Sequence, residues 1–219
     1  MRLDTLKEYT FYPPLLLGCT ALLASAALSW VAGATRDAIA AAEARDLRES
    51  LTQVLPAGLA DNDLLADRVQ IDVGATAPLT VYRARHAGKP AAAVFRVEGK
   101  GYAGPIVLLM AVDQDGQVLG VRVLKHSETP GLGDKIEIGK TDWITAFNGK
   151  SLNTGRWAVR KDGGEFDQFA GATITPRAVV QAVKGGLEIF ARHQDAMLGQ
   201  PQDSATMGTA RAHKEGKAS

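Results

Sequence analysis

Two threonine hydroxyls beside a glycine turn are the groups in this chain best placed for chemistry. Thr173 and Thr175 follow Gly171 in residues 167–176, which read Asp-Gln-Phe-Ala-Gly-Ala-Thr-Ile-Thr-Pro. Gly171 permits a tight turn, Thr175 suits an N-cap and Pro176 suits the first helical position. A helix start offers free N–H groups and the positive end of the dipole, which stabilise a phosphate. From the residues alone, an ordinary capped surface helix is the favoured interpretation, because helix starts of this kind are common. A phosphate-binding turn, with a spare hydroxyl on Thr173 just ahead of it, is the alternative.

Behind this turn, apolar residues recur with the spacing of a helix. They predict an amphipathic helix from Pro176 to about His193, with its apolar stripe facing the core. Because no histidine neighbours Thr173 as a base, the turn is unlike the site of a serine or threonine hydrolase. The stripe consists of Ala178, Val179, Ala182, Val183, Leu187 and Phe190.

Composition narrows the class of protein further. The chain has 219 residues, enough for one domain with a core, and its formal net charge of +1 gives no case for a nucleic-acid surface. Its one cysteine, Cys19, excludes an internal disulfide, a Cys-ligated iron–sulfur cluster and a c-type haem site within the chain. The four histidines show no metal-ligand spacing. We therefore expect no metal site, and any electron carrier here would be organic.

The motif Asp-x-x-Ala-Gly-Ala-Thr at residues 167–173 resembles the flavinylation motif in the FMN-binding subunits of two related bacterial respiratory complexes. These are the G subunit of the Rnf/Rsx ion-translocating oxidoreductase and the C subunit of the sodium-pumping NADH:quinone oxidoreductase. This chain departs from the family at Ala170, where Ser or Thr is usual. The resemblance implies that Thr173 carries FMN through a phosphodiester bond made by a dedicated flavin transferase. Thr175 is the rival acceptor, and we favour Thr173 because Thr175 suits the cap before Pro176.

A second segment carries the same resemblance. Residues 128–133 read Glu-Thr-Pro-Gly-Leu-Gly, which alone indicates a polar surface loop with a Pro-Gly turn. In the family this signature lies against the flavin ring. Its glycines would let backbone N–H groups approach the ring, and Leu132 could pack on the ring face. The cofactor-binding residues that the resemblance implies are Thr173, Glu128, Thr129, Leu132, Gly133, Asp167, Gly171, Ala172 and Thr175.

Asp167 and Lys184 have other expected roles. Asp167 is more readily explained as part of the transferase's recognition signal, or of a Mg²⁺ site during attachment, than as a redox group. Lys184 could assist the phosphate, but a solvated helix lysine is the better interpretation.

An uncharged run at residues 11–34 predicts a transmembrane helix. It would reach roughly 36 Å as a helix, against a hydrocarbon core of about 30 Å. Tyr12 and Trp30 lie near its ends, where interfacial aromatic residues belong. A signal peptide cleaved near residues 24–26 and a lipoprotein processed at Cys19 are alternatives, but the length of the run favours an uncleaved anchor.

The anchor sets the domain organisation that we expect. Residues 1–10 would be a cytoplasmic tail, since Arg2 and Lys7 give a weak positive-inside signal. Residues 35–198 would form a periplasmic FMN-binding domain on the bacterial inner membrane. Residues 199–219 lack periodicity and are predicted to be disordered.

The predicted fold class is α+β: one N-terminal transmembrane helix, then a single FMN-binding domain with a mostly antiparallel twisted sheet packed by helices. Strand-like runs occupy residues 69–73, 79–85, 91–97, 106–113 and 117–125. Asp115-Gly116 indicates a hairpin between the last two, which we expect to be central. A short helix at 143–147, capped by Thr141 or Asp142, and a strand at 157–159 are also predicted.

One further motif does not support its usual function. Residues 99–104 match the dinucleotide-binding pattern G-x-G-x-x-G. A helix should follow that motif, but the next residues are a buried-strand run, and no acidic ribose ligand lies at the expected distance. These glycines are better interpreted as a loop between two strands.

The sequence therefore predicts a redox subunit rather than a free-standing enzyme, since no acid, base or nucleophile constellation appears. The resemblance implies a covalent flavoprotein, a phosphoprotein through its ester link, in an ion-translocating complex that transfers electrons between ferredoxin and NAD. Its partners would be membrane and iron–sulfur subunits, with the flavin transferase during maturation. Two alternatives stay open: an anchored ligand-binding or scaffold domain without flavin, and a flavinylated domain of another extracytoplasmic electron chain.

Overall fold

The computed structural model describes residues 12–74 and 77–199. The predicted cytoplasmic tail, 1–10, lies outside the described residues, as does the predicted disordered tail beyond Gly199. The chain divides into two compact units between Leu47 and Arg48. The helices and strands are α1 (Tyr12–Val54), β1 (Arg68–Ile71), β2 (Leu79–His86), β3 (Lys89–Lys100), β4 (Pro105–Asp113), β5 (Val118–Lys125) and α2 (Ile174–Leu198).

Helix α1 contains the predicted membrane span. Its segment Tyr12–Arg36 has a mean hydropathy of 1.9, and none of it is buried. By length and composition it is the one helix in the described part of the chain that is able to cross a membrane. The helix continues without a break to Val54, two residues before Pro56, which has no N–H with which to extend a helix.

The strands form one antiparallel sheet in the order β1-β2-β3-β4-β5. This confirms the α+β class and the mostly antiparallel sheet. The hairpin at Asp115-Gly116 is present, with the Asp113 N–H bonded to the Gln117 carbonyl at 3.0 Å. One expectation is wrong: β5 is an edge strand and not a central one. Its apolar residues are covered by packing on its faces, which the sequence pattern does not distinguish from a central position.

The main core lies between one face of the sheet and α2. Val97 and Met110 of the sheet face Val183 and Leu187 of the helix in one buried cluster. A Cβ added at Gly99 would stand 2.6 Å from the Ala178 carbonyl oxygen, so α2 packs directly on the β3 backbone. This close packing fixes the position of α2, whose first turn carries the two threonines.

The segment between β5 and α2 is held by aromatic packing rather than by strands. Trp143–Phe147 is a short helix of 3₁₀ type, as predicted, although neither candidate cap residue is a full N-cap: Asp142 makes no capping bond, and Thr141 Oγ1 accepts the Trp143 N–H at 3.2 Å. The predicted strand at 157–159 is wrong, because only Val159 forms an isolated bridge, with Phe166. Their apolar side chains instead pack in the core, where burial stabilises them as well as it would in a strand. The cluster comprises Trp143, Phe147, Trp157, Phe166 and Phe169.

Two buried arginines hold the far end of α2. The Arg83 guanidinium donates to the carbonyls of Met197 at 3.0 Å and Ala196 at 2.7 Å. Arg85 donates to the Gly199 carbonyl at 2.7 Å and pairs with Asp67. These bonds satisfy carbonyls that a helix end leaves without partners, and the positive charges favour the negative end of the dipole. Burial lowers the pKa of Arg83.

Replacing Arg83 with methionine should lower the free energy of unfolding by about 2–3 kcal/mol, because it leaves buried carbonyls without donors. Arg156→Met, at an exposed loop residue, is the control and should change stability by less than about 0.5 kcal/mol. Chemical unfolding of the purified chain in detergent measures both. Equal midpoints for the two variants would show that these bonds do not stabilise the end of α2.

Candidate functional site

Three segments that are distant in sequence meet at the start of α2. They are the β3–β4 loop at residues 101–104, the loop at residues 128–133 and the turn that leads into α2. Between them lies a pocket of about 140 Å³. It is lined by Tyr102, Glu128, Gly171, Ala172, Thr173, Ile174 and Thr175.

The buried carboxylate of Glu128 joins these segments. Only 5% of Glu128 is exposed. Its Oε1 accepts the Ala103 N–H at 3.1 Å, and its Oε2 accepts the hydroxyl of Thr175. Its own N–H donates to Nδ1 of His126 at 3.1 Å. A buried carboxylate is costly unless its oxygens are bonded, so these contacts fix the side chain and both partner segments.

Two glycines allow the backbone to close around this carboxylate. A Cβ on Gly101 would stand 2.4 Å from Oε1 of Glu128. A Cβ on Gly133 would stand 2.8 Å from Cβ of Glu128 and 3.0 Å from Oγ1 of Thr175. Real Cβ atoms do not approach so closely, and therefore these two positions need glycine for packing rather than for a special backbone angle.

The predicted cap arrangement at the start of α2 is wrong. The helix begins at Ile174, and Thr173 occupies the N-cap position, where its side chain makes no capping bond. Thr175 lies inside the first turn, and none of its surface is exposed. The reason is tertiary: Glu128 binds the Thr175 hydroxyl, which is thereby unable to cap the helix. Thr173 is half-buried and lines the pocket, so it is the more accessible of the two hydroxyls.

The turn before the helix shapes this site. Gly171 has a φ of +81°, which favours glycine, and the Ala172 N–H donates to the Phe169 carbonyl at 3.2 Å. The first turn of α2 therefore faces the pocket beside Thr173. Its backbone N–H groups and the positive end of the dipole suit a phosphate.

Charged side chains near the helix start are already paired. Arg177 donates to Asp162 through two bonds, of 2.6 and 2.8 Å, and these bonds hold the pKa of that carboxyl below its usual value. Further along α2, Nζ of Lys184 lies 3.7 Å from Oε1 of Glu188, which follows one helical turn later. In the described chain, the residues that line the pocket include no lysine or arginine. The helix backbone is therefore the source of positive potential among the groups that line the pocket, where the Glu128 carboxylate acts in the opposite sense.

Exposed apolar side chains surround the pocket. Within the unit that starts at Arg48, four large hydrophobic residues of the described chain are exposed, and three of them flank Thr173. Tyr102 is 73% exposed, Ile174 is 45% exposed and Leu132 is 41% exposed. A Cδ of Leu132 lies 3.4 Å from where a Cβ of Gly171 would stand, so the two loops touch. An apolar rim around a helix start suits a planar apolar ring attached to a phosphate.

Two of the sequence-predicted site residues lie outside the pocket. The carbonyl of Thr129 accepts the N–H groups of Leu132 at 3.1 Å and Gly133 at 3.0 Å, so Thr129 shapes the loop from its exposed side. The carboxylate of Asp167 lies 3.1 Å from Nε of Arg160 and lines a separate cleft. The structure brings the remaining seven together. Five line the pocket, Leu132 lies on its rim, and Gly133 packs against Glu128 and Thr175.

Sequence reasoning missed the β3–β4 loop as part of the site. Tyr102 and the Ala103 N–H belong to the segment that matched the dinucleotide pattern. The expectation that this segment is a loop between strands is correct. An aromatic residue between glycines at the end of an apolar strand was the available signal.

Similarity to known proteins agrees with this geometry. The FMN-binding domain family matches residues 101–188, which include all three segments of the site. The chain is 52% identical, over 187 residues, to the G subunit of the ion-translocating oxidoreductase complex of Cereibacter sphaeroides, covering 84% of this chain and 85% of that protein. The chain belongs to the G-subunit family of ion-translocating oxidoreductase complexes. The family predicted from the two motifs is thus confirmed.

Other members of the family are similarly close. The G subunit of Stutzerimonas stutzeri is 48% identical over 200 residues, covering 90% of this chain and 88% of that protein. The G subunit of Shewanella loihica is 44% identical over 194 residues, covering 85% and 92%. Matches of this length are longer than the unit that carries the site and therefore extend into α1.

Solved structures of related proteins are less similar. One is the Shewanella oneidensis protein named NqrC, 26% identical, with a TM-score of 0.46 over 64% of this chain and 72% of that one. Another is the C subunit of the Na⁺-translocating NADH-quinone reductase of Parabacteroides distasonis, 24% identical, with a TM-score of 0.45 over 60% and 67%. Folds with such scores superpose only partly, so no site residue is transferred from them.

Replacing Gly133 with alanine should lower the free energy of unfolding by about 1–3 kcal/mol, because overpacking would push Glu128 and Thr175 apart. Gly139→Ala is the matched control, since nothing in the described chain lies within 4 Å of a Cβ at that position. Unfolding of both full-length variants in detergent tests this. If the two behave alike, the packing around the Glu128 carboxylate is not tight.

Proposed function

We propose that this chain is the electron-transfer subunit of a membrane-bound ion-translocating oxidoreductase of the ferredoxin/NAD type. In this proposal it carries FMN through a phosphodiester bond between the hydroxyl oxygen of Thr173 and the FMN phosphate. The proposal rests on one observation: the hydroxyls of Thr173 and Thr175 differ in their exposure to the pocket. Thr173 lines the pocket, whereas Thr175 is fully buried and bonded to Glu128.

The geometry around Thr173 supports attachment through a phosphate. The start of α2 supplies N–H donors and the positive end of the dipole, and no basic side chain of the described residues lines the pocket to do so instead. An ester at Thr173 would place the phosphate directly at this helix start. The domain family that matches here is named for FMN, which has such a phosphate.

The size of the pocket indicates where the flavin ring would lie. A volume of about 140 Å³ is well below the roughly 300–1,000 Å³ of sites that enclose a small molecule. The pocket can therefore hold the phosphate end, while the apolar rim of Tyr102, Leu132 and Ile174 would support one face of the ring. A bound flavin passes one or two electrons, and an exposed ring edge suits exchange with partner proteins. Covalent attachment would prevent its loss from so open a site.

The residues of the protein itself have a limited task in this mechanism. Glu128 positions the two loops and the first turn of α2, and touches no reacting atom in the arrangement described above. The side chain of Leu132 packs against the turn at Gly171. Thr129 and Asp167 shape and flank the site, and Asp167 stays available to a flavin transferase because 63% of its side chain is exposed.

The anchor and the family support a membrane location. α1 is apolar enough to span a bilayer once, and the relatives are named as subunits of a complex. We infer that residues 35–198 face the periplasm of a bacterial inner membrane, with residues 1–10 in the cytoplasm. The partners would be the membrane and iron–sulfur subunits of the same complex.

Thr173→Val should abolish covalent flavin, because it removes the acceptor oxygen and little else. Thr173→Ser keeps a hydroxyl and should retain flavin at least in part, and Thr175→Val should retain it because that hydroxyl is buried. Each variant is produced together with the transferase, denatured, and examined by gel fluorescence and intact mass. Complexes that contain Thr173→Val should also lose electron transfer between ferredoxin and NAD.

Two results would contradict this assignment. A fluorescent Thr173→Val band would move the acceptor elsewhere, and its loss in Thr175→Val alone would assign the acceptor to Thr175. A wild-type protein of unmodified mass, produced with the transferase, would reject the covalent flavin.

The inferred orientation is tested by labelling in intact cells. Cys19 is replaced by alanine, and one new cysteine is placed at exposed Asn153 or at Lys7. A membrane-impermeant maleimide that crosses the outer membrane should label the Asn153→Cys variant before lysis, and the Lys7→Cys variant only after lysis. The reverse pattern would place the domain in the cytoplasm.

A further inference from the structure

The outer edge of β5 has no backbone hydrogen-bond partner along most of its length in the described part of the chain, although the short helix Trp143–Phe147 packs against this strand. As the last strand of the sheet, β5 has a hydrogen-bonded neighbour, β4, on one side only. In the described part of the chain, backbone bonds reach its other side at Val118, which exchanges bonds of 2.8 Å with Lys150 and Gly149. An open strand edge presents N–H and C=O groups on which another extended chain can pair.

A groove of about 440 Å³ runs beside this open edge. Ser50 and Gln53 of the last turns of α1 line it, as do Ile138 and Gly139. Ile138 is 43% exposed. Of the four exposed large hydrophobic residues in the described part of this unit, it is the one that lies away from Thr173. The remaining lining residues are Arg122, Val123, Leu124, Lys125, His126 and Glu137.

The guanidinium of Arg122, which lines the groove, has no carboxylate partner among the described residues. Nε of Arg122 is buried and bonds to nothing in the described chain, while its Nη1 donates to the Val121 carbonyl at 2.8 Å. Burial lowers the pKa of Arg122. Among the described residues, no carboxylate lies within ion-pair distance of Arg122 or Lys125. Glu137, the acid among the residues that line the groove, already binds His126 at 2.7 Å.

We propose that this groove docks an extended segment of another subunit of the complex, which pairs with β5 and places an aspartate or glutamate on Arg122. The open edge would supply the backbone bonds, and the unpaired guanidinium would select the acidic residue. Ile138 would cover an apolar side chain of the same segment. This proposal rests on the proposed function only in naming the partner as a subunit of that complex.

The structure favours this occupant over the simpler ones. A small anion would pair with Arg122 but would leave the open strand edge and Ile138 without partners. A second copy of this chain would need an open acidic strand edge. The other edge strand, β1, has the sequence Arg-Val-Gln-Ile and carries no acid.

The test uses the whole complex, purified through a tag on a different subunit. Arg122→Glu should reduce recovery of this chain at least tenfold, because it sets like charges against each other at the docking site. Arg96→Glu is the matched control. It is exposed on β3 and stands in register with Leu109, which in turn pairs with Arg122, so both arginines lie on one face of the sheet. Recovery of the Arg96→Glu variant should be unchanged.

A photoreactive amino acid at Ile138 identifies what occupies the groove. The expected product is a cross-link to one other subunit, mapped to an extended segment with an Asp or Glu near the site of attachment. The same group at Asn153, exposed and outside the groove, should not give that product. A cross-link only to lipid, only to a second copy, or to no protein would overturn the proposal.

Folding and flavin attachment are controlled separately. Arg122→Gln, which removes the charge without reversing it, should lower recovery less than Arg122→Glu, and both variants should keep covalent flavin and an unchanged unfolding midpoint. Normal recovery of a folded Arg122→Glu variant would reject the docking site. Thr173→Val should still be recovered with the complex, because the groove does not include Thr173. A wild-type chain that assembles but carries no flavin would contradict the proposed cofactor and not this surface.

Discussion

The buried carboxylate of Glu128 is the contact on which the site depends. It bonds to the Thr175 hydroxyl in α2 and to the Ala103 N–H in the β3–β4 loop, and glycines at 101 and 133 leave it just enough room. Its two oxygens thus supply the polar link between the helix start and the loops that surround it. The same bond removes one of the two motif hydroxyls from solvent. One interaction therefore assembles the pocket and selects which threonine is exposed in it.

The parts of the fold that depend on local pattern were predictable. The anchor follows from an uncharged run, the hairpin from Asp115-Gly116, and the apolar face of α2 from helical spacing. The position of β5 at the edge was not predictable, because strand order depends on which strands pair. The residues at 157–159 are apolar enough for a strand, yet they pack with aromatic rings instead.

The site shows the same division. Its turn and its glycine loop were visible in the sequence, and so was Thr173. The cap at Thr175 was assigned wrongly because its partner, Glu128, lies 47 positions away, and a tertiary bond competes with capping. Tyr102 was missed for a similar reason: only the folded chain brings the β3–β4 loop to the start of α2. The docking proposal for the groove beside β5 rests on Arg122, which lacks a carboxylate partner in the described chain. No sequence pattern shows whether an arginine has such a partner.

Both ends of α2 are fixed to other parts of the same unit. Glu128 and Asp162 hold its first turn through Thr175 and Arg177, and Arg83 and Arg85 hold its last carbonyls. These bonds restrain the helix on both sides of the kink at His193, so its first turn has little freedom to shift. Its dipoles are already oriented, so a gain or loss of an electron at a carrier on Thr173 would meet a small reorganisation free energy. The buried arginines, although far from the pocket, would thus influence the rate at which electrons pass through it.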